Sequence, residues 1–221
     1  MSKLIVANWK MNGTLDLVDA FLESIESDEL ILGLPNIFLA YSSSKNKNIN
    51  LAAQDCSIFK NNGAHTGEVS AKMLSESGVS YVILGHSERR SSNNETIDII
   101  YQKMESALEA GLKVILCVDE NYKELIDSKT NTLLRNNTDS IVIAYEPVSA
   151  IGTGIVPSVS EIDKVISEIK GMYYNLKTLY GGSVNTQNSH DILSIKSVDG
   201  VLIGGASLKL AELTEILKSS I

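Results

Sequence analysis

Short apolar segments rich in Val, Ile and Leu recur eight times along this chain, and amphipathic segments separate them. They have the length of buried β-strands and span residues 4–8, 29–34, 49–54, 79–85, 112–118, 140–145, 176–181 and 198–204. Apolar residues recur with helical spacing at 15–26, 94–110, 158–173 and 207–219. Strands that alternate with helices imply a parallel sheet, and eight repeats predict a closed (β/α)8 barrel or an open doubly wound sheet.

Two segments rich in Asn, Ser and Lys, 36–48 and 119–138, interrupt the helical pattern. They predict that the second and fifth helices are shortened or irregular. No linker-like or low-complexity stretch divides the chain, and 221 residues, 43% of them hydrophobic, suffice for one sizeable core. The sequence therefore predicts a single domain over residues 1–221.

Charge and composition exclude several classes of partner. The formal net charge is −8 and the pI is near 4.9, which argues against nucleic acid or an anionic membrane surface. No stretch approaches the roughly 20 apolar residues of a membrane span, and the first residues lack a signal-peptide pattern, so we expect a cytoplasmic protein. Cys56 and Cys117 are too few for a disulfide framework and lack metal-site spacing, so both should be small buried residues.

Polar and glycine residues follow the predicted strands at their carboxyl ends. They are Asn8 and Lys10 after the first strand, His86 after the fourth, Glu146 after the sixth, Ser183 after the seventh, and Gly204 and Gly205 at the eighth. In a barrel these ends form one face, on which active sites are built, and the loops after the last two strands often bind phosphate. The sequence therefore predicts one site from residues that are far apart in the chain.

The segment AYEPVSAIGTG, residues 144–154, combines a candidate base with a candidate lid. Glu146 stands where a buried strand leaves the core, Pro147 stiffens the exit, and Gly152 and Gly154 give the backbone freedom to close over a ligand. The alternative is an ordinary strand-to-helix turn with a solvated glutamate.

Seven segments resemble the triosephosphate isomerase family and occur in the family's order. They are NWKMNG at 8–13, AAQD at 52–55, GAHTGE at 63–68, GHSERR at 85–90, AYEPVSAIGTG at 144–154, YGGSV at 180–184 and DGVLIGGASL at 199–208. The resemblance implies a homodimeric (β/α)8 barrel that interconverts dihydroxyacetone phosphate and glyceraldehyde 3-phosphate in glycolysis and gluconeogenesis. It also implies that the reaction uses no metal ion and no organic cofactor.

The resemblance assigns the proton transfer to two residues. Glu146 would remove and return the carbon-bound proton through an enediol-like intermediate, in a site that lid closure dries. His86 would donate hydrogen bonds to the substrate oxygens as a neutral imidazole. Ser87 is a possible cap of the helix that begins there, and the positive end of that helix disfavours the imidazolium.

The first strand would supply the groups that meet negative charge. Lys10 is the expected fixed cation for the phosphate and for the developing enediolate. Asn8 would donate a hydrogen bond to a substrate oxygen, while Trp9 should point the other way along the extended chain. By the resemblance, Glu88 would hold Lys10 or relay protons rather than act as the main base.

The phosphate requires many donors and little bulk. Ser183, Gly204 and Gly205 lie in tight turns whose backbone N–H groups can face an anion, and Gly152 would add another N–H when the lid closes. Together with Asn8 and Lys10, they form the predicted substrate- and phosphate-binding set.

Loop 55–70 is long for a barrel connection, and the resemblance implies that it reaches into a partner subunit, where Thr66 braces the other active site. The alternative is a flexible surface loop. The chain departs from the family at three places: Ser149 replaces the usual Trp of the lid hinge, His65 replaces an aromatic residue of this loop, and CVDENY at 117–122 replaces the usual CIGE pattern. None of these changes removes a predicted catalytic group.

Two other functions remain open from the sequence. A Schiff-base lyase on the same barrel would use Lys10 as its nucleophile and would need no glutamate. A non-catalytic phosphate-binding barrel would keep the glycine turns, although the joint presence of Glu146, His86 and Lys10 argues against it.

Overall fold

The eight predicted strands form a closed barrel. The computed structural model describes residues 2–45, 48–126, 129–147, 156–173 and 175–220. Every strand pairs in parallel with its neighbours in the chain, and the last strand pairs with the first. The strands are β1 (Leu4–Asn8), β2 (Leu30–Leu34), β3 (Asn50–Ala53), β4 (Tyr81–Leu84), β5 (Lys113–Val118), β6 (Ile141–Tyr145), β7 (Lys177–Tyr180) and β8 (Gly200–Ile203). The (β/α)8 barrel is confirmed, and the open sheet is excluded.

Two apolar layers explain why the strands read as uninterrupted apolar runs. Side chains alternate between the two faces of a strand, and both faces are buried in a barrel surrounded by helices. In β1, Val6 packs in the barrel interior with Ile31 and Ile83. Its neighbours Ile5 and Ala7 belong to the larger core between the barrel and the helices. Because no strand face is left for water, polar residues collect at the strand ends.

Helices cover the outside of the barrel. They are α1 (Leu15–Ser24), α2 (Asn36–Lys45), α3 (Ala71–Glu76), α4 (Ser87–Ser92), α5 (Ile97–Glu109), α6 (Tyr122–Ile126), α7 (Thr130–Asn136), α8 (Val159–Met172), α9 (Ser189–Leu193) and α10 (Leu210–Lys218), with a 3₁₀ helix over Gly205–Leu208. Hydroxyl side chains of Thr14, Ser70, Thr96 and Ser158 begin α1, α3, α5 and α8 by accepting a backbone N–H three residues later. Within the described residues, none of these helices has the length and apolarity needed to cross a bilayer.

The expectation of a shortened second helix is wrong. α2 is a regular helix of 10 residues that buries Leu39 and Ser42. The hydroxyl of Tyr41 donates to Asp19 on α1 at 2.8 Å, so a contact with the neighbouring helix compensates for a weak local pattern. The expectation for 119–138 is confirmed, since this segment contains two short helices, α6 and α7.

A buried network of four charges links the exit of β3 to α4 and α5. Lys103 Nζ lies 2.7 Å from Asp55 Oδ1 and 2.5 Å from Glu95 Oε1. Arg89 contacts the same two carboxylates, with Nη2 2.8 Å from Asp55 and Nε 2.6 Å from Glu95. Because the two cations balance the two anions, the group can remain charged although the Lys103 and Glu95 side chains are only 7% and 3% exposed.

Removing one cation from this network should destabilise the fold. Lys103→Met is expected to lower the free energy of unfolding by about 3 kcal/mol or more, because Arg89 alone then faces two buried carboxylates. Urea denaturation at neutral pH measures the change. Lys129→Met is the matched control, since Lys129 and its partner Asp98 are both 67% exposed, and it should cost less than about 1 kcal/mol. Equal losses in the two variants would contradict the prediction.

Candidate active site

A cavity of about 310 Å³ opens at the carboxyl end of the barrel, as expected for this fold. Six of the residues selected from the sequence line it: Lys10, His86, Glu146, Ser183, Gly204 and Gly205. They come from the ends of β1, β4, β6, β7 and β8. Asn8 and Glu88 contact the lining residue Lys10 but do not line the cavity themselves. The predicted lid residues Gly152 and Ser149 lie outside the described residues.

Glu146 is the most deeply buried acidic residue of the cavity. Its backbone N–H donates to Val118 O at 2.7 Å, which extends the pairing of β5 and β6 by one residue. The residue is 1% exposed, and among the described residues no donor forms a well-aligned hydrogen bond with either carboxylate oxygen. Nε2 of His86 lies 3.4 Å from Oε1. The carboxylate is therefore buried, and its oxygens are available to accept a proton.

The environment of Glu146 shifts its protonation equilibrium. Burial is the largest influence and raises the pKa of the Glu146 carboxyl above its ordinary value, because a charged carboxylate is poorly solvated there. The opposing influences are, from largest to smallest, those of His86 when its ring is protonated, the Cys117 thiol, the Ser87 amide and Arg90. A raised pKa makes a carboxylate a stronger base in its ionised form.

His86 begins α4 and caps it with its own side chain. Its Nδ1 accepts the backbone N–H of Glu88 at 3.2 Å, so this nitrogen carries no proton and the neutral ring carries its proton on Nε2. The expectation that Ser87 is the cap is therefore wrong. Ser87 is already helical, whereas His86 has the extended backbone of a cap residue, with φ −53° and ψ 140°. The capping bond leaves the Nε2–H directed to the side of the ring near Glu146.

Lys10 is held in place at both ends of the residue. Its backbone has φ +54°, which is uncommon for a residue other than glycine, and its N–H donates to Asn8 Oδ1 at 3.0 Å. Its Nζ lies 2.5 Å from Glu88 Oε1. A Cβ placed on Gly204 would lie 3.6 Å from Lys10 Cε, so the lysine borders the glycine turn that follows β8. The Lys10 side chain thus lies between Glu88 and the turn that follows β8.

Asn8 and Trp9 point in different directions from the end of β1. Asn8 is 4% exposed, and because its Oδ1 accepts from Lys10, its NH2 group remains as a donor. Trp9 is completely buried in the outer core, where its ring packs edge-on against Phe21 at 4.9 Å. The alternation predicted for this segment is confirmed.

The turn after β7 packs directly against Glu146. Gly181 N–H donates to Tyr145 O at 2.7 Å, and a Cβ on Gly181 would lie 2.7 Å from Glu146 Cγ. No side chain fits between the two without moving the carboxylate. The glycine therefore sets where Glu146 lies.

Gly181→Ala is expected to lower kcat by about tenfold or more, because even a small displacement of a positioned catalytic group is costly. The overall fold should survive, as circular dichroism and the melting temperature can verify. Gly171→Ala is the matched control: Gly171 lies in α8, and a Cβ there meets no atom within 4 Å. Unchanged turnover in Gly181→Ala would show that Glu146 is not placed by this contact.

Three residues in or near the cavity were not selected from the sequence as site residues. Asn185 and Glu212 line it, and Cys117 lies in the barrel interior near Glu146. Asn185 directly follows the YGGSV motif, whereas Glu212 belongs to an amphipathic helix in which nothing distinguishes it. In the described part of the chain, no three His, Cys, Asp or Glu side chains are arranged to hold a metal ion.

Comparisons with known proteins agree with this geometry. The sequence model of the family described as triosephosphate isomerase matches residues 3–220. The triosephosphate isomerase of Wolbachia sp. subsp. Brugia malayi (strain TRS) is 40% identical over 99% of this chain and 97% of the relative. That of Thermodesulfovibrio yellowstonii is 38% identical over 98% of each, and that of Neisseria meningitidis serogroup A is 38% identical over 99% and 97%. This chain belongs to the triosephosphate isomerase family.

Proposed function

We propose that this protein interconverts dihydroxyacetone phosphate and D-glyceraldehyde 3-phosphate, in line with the name triosephosphate isomerase that its relatives carry. The observation that carries the proposal is the meeting of a buried carboxylate, a neutral imidazole and a lysine in one cavity. These are a base, a hydrogen-bond donor and a cation, which an enediolate intermediate requires. The reaction belongs to glycolysis and gluconeogenesis, and we infer a cytoplasmic location from it.

In this mechanism Glu146 removes the proton from one carbon and returns it to the adjacent carbon. The Nε2–H of His86 donates to the two substrate oxygens and stabilises the charge that develops on them. Lys10, which is held by Glu88, contributes a fixed positive charge to the cavity that Glu146 and His86 also line. Asn8 holds the backbone of Lys10 by accepting its N–H at Oδ1, and its NH2 group remains as a donor for a substrate oxygen.

The phosphate is proposed to bind in the same cavity, at the turns that follow β7 and β8. Ser183, Gly204 and Gly205 border the cavity without bulky side chains, which leaves room for backbone N–H groups to approach an anion. A Cβ on Gly205 would meet no atom within 4 Å, so the space in front of this residue is open. Gly152 is proposed to complete the phosphate site from the lid.

A coupled assay of glyceraldehyde 3-phosphate conversion tests the proposal. Rapid turnover is expected without added metal or cofactor. Borohydride treatment in the presence of substrate should trap no adduct on Lys10, since an adduct would favour the Schiff-base lyase. Binding of phosphate esters without turnover, in a folded protein, would favour the non-catalytic barrel.

We also propose that the enzyme is a homodimer and that Thr66 contacts the partner's active site. Thr66 is exposed in the loop after β3, where the rings of Phe59 and His65 stack at 3.5 Å and stiffen the loop. Large apolar side chains are also unusually exposed, including Met11 at 95% and Ile37 at 81%. Burial of such side chains would favour association.

Dilution should therefore lower specific activity as the dimer dissociates. Molecular mass and activity are measured over the same concentration series by light scattering and the coupled assay, and the two are expected to fall together. Thr66→Arg should shift both transitions to higher concentration. A monomer with full activity would contradict the role of Thr66.

A further inference from the structure

Arg90 lies on α4 one turn after His86, and its guanidinium is only partly satisfied. Nη1 lies 2.9 Å from Asp119 Oδ2. Nε and Nη2 are buried and have no hydrogen-bond partner among the described residues. Buried donors without a protein partner cost stability, so Asp119 satisfies only part of this cation. The arrangement points to a role for the positive charge itself.

Asp119 places this charge beside the proposed base. It directly follows β5, and the carbonyl of the preceding Val118 accepts the backbone N–H of Glu146 at 2.7 Å. Asp119 and Glu146 thus leave neighbouring strands side by side. α4 contacts both exits, with His86 Nε2 3.4 Å from Glu146 Oε1 and Arg90 bound to Asp119. The Asp119 carboxylate is fixed in turn, since its Oδ1 accepts the N–H of Asn121 at 2.7 Å.

Several charged or titratable groups surround Glu146, and their signs decide what Arg90 can do. They are His86 at the cap of α4, Glu88 and Arg90 on α4, Cys117 and Asp119 on β5 and at its exit, Lys10 after β1, Tyr180 on β7 and Glu212 on α10. Arg90 lowers the pKa of the Glu146 carboxyl and of the Cys117 thiol, while burial raises both. Arg90 is the smallest of the four influences that oppose burial at Glu146, and it acts in the direction that keeps the carboxylate ionised.

We propose that Arg90 is a positioning residue for Glu146: its charge, anchored by Asp119, favours the ionised form of the buried carboxylate between turnovers, and the opposite charge of Asp119 limits this effect. The inference rests on the proposed role of Glu146 as the base. Asp119 lies in segment 117–122, where this chain departs from the family pattern. The pair should therefore shift the pH dependence of this particular enzyme.

Two charge-removing variants should shift the acid limb of the kcat/KM profile in opposite directions. Arg90→Met removes a cation, raises the pKa of Glu146 and moves the limb to higher pH. Asp119→Asn removes an anion, lowers that pKa and moves the limb to lower pH. Each shift should be about half a pH unit or more, which is about threefold in activity on the limb. Arg90→Lys retains the positive charge, so the acid limb of its kcat/KM profile should lie at the same pH as in the original protein.

A second measurement separates this inference from the proposed function. The ¹³C NMR signal of the Glu146 carboxyl, identified by its loss in Glu146→Gln, reports ionisation in the protein without substrate. Opposite shifts of this titration support the electrostatic role even if the protein proves inactive as an isomerase. A purely structural pair would lower the melting temperature in both variants and leave the limb and the titration in place. Shifts that are absent, or that have the same sign, would overturn the proposal. If Arg90→Met does not fold, Asp119→Asn, which keeps an oxygen acceptor for Arg90, decides by itself.

Discussion

Replacing Glu146 by glutamine is expected to lower kcat by about 10²–10⁴-fold, the range typical of a positioned base. Glutamine has nearly the same shape and can occupy the same buried space, but it cannot accept the proton from carbon. KM should change little, because the phosphate is proposed to bind at the turns after β7 and β8. The coupled assay with both proteins side by side measures the loss.

Glu124→Gln is the matched control, since Glu124 is an exposed glutamate on α6 and should tolerate the change without loss of turnover. Unchanged turnover in Glu146→Gln together with lost substrate binding would contradict the assignment of the base. Activity that is absent in both the original protein and the variant would instead favour the binding-only barrel.

The same substitution should stabilise the protein at neutral pH. Burial raises the pKa of Glu146 in the folded state above its unfolded value of about 4.3. The stability that this group contributes is therefore present below the unfolded pKa and is lost as the pH rises through the folded pKa. Glutamine does not ionise, so the advantage of the variant should appear above about pH 4, grow until the pH passes the folded pKa of Glu146, and vanish in acid. A gain in stability that accompanies a loss of activity is the signature of a functional buried charge.

The strands were predictable because each is buried on both faces. A continuous run of apolar side chains is the only pattern that such a position allows, and each strand begins within two residues of its predicted start. The convergence of Lys10, His86 and Glu146 followed from the same geometry, since the carboxyl ends of parallel strands in a barrel share one face. The sequence alone therefore shows which polar residues lie at the ends of the strands.

Contacts between elements were not readable in this way. α2 depends on Tyr41 reaching Asp19 of another helix, and no local pattern announces that contact. The cap of α4 depends on which residue has the extended backbone, and a histidine took the place expected of the neighbouring serine. The pairing of Arg90 with Asp119 joins residues that are 29 positions apart. Asp119 lies in segment 117–122, where the chain departs from its family. Side-chain partners across elements require coordinates.

Replacing Lys10 by methionine is expected to lower kcat/KM by about 10²–10³-fold, the loss typical when one charge-stabilising group is removed. Lysine and methionine share a similar unbranched stem, so the packing against Gly204 should persist. The backbone conformation at φ +54° is equally unfavourable for both residues, which means that strain does not change. The loss therefore reports the charge.

Stability should change little in Lys10→Met, because the partner Glu88 is 52% exposed and water can solvate the carboxylate that is left behind. Lys10→Arg keeps the charge but replaces a compact ammonium by a planar fork, so partial activity is expected. Lys129→Met, on the exposed surface, should retain full activity. A loss below about threefold in Lys10→Met would mean that the glycine turns alone neutralise the phosphate and the enediolate, because no other cation among the described residues lines the cavity.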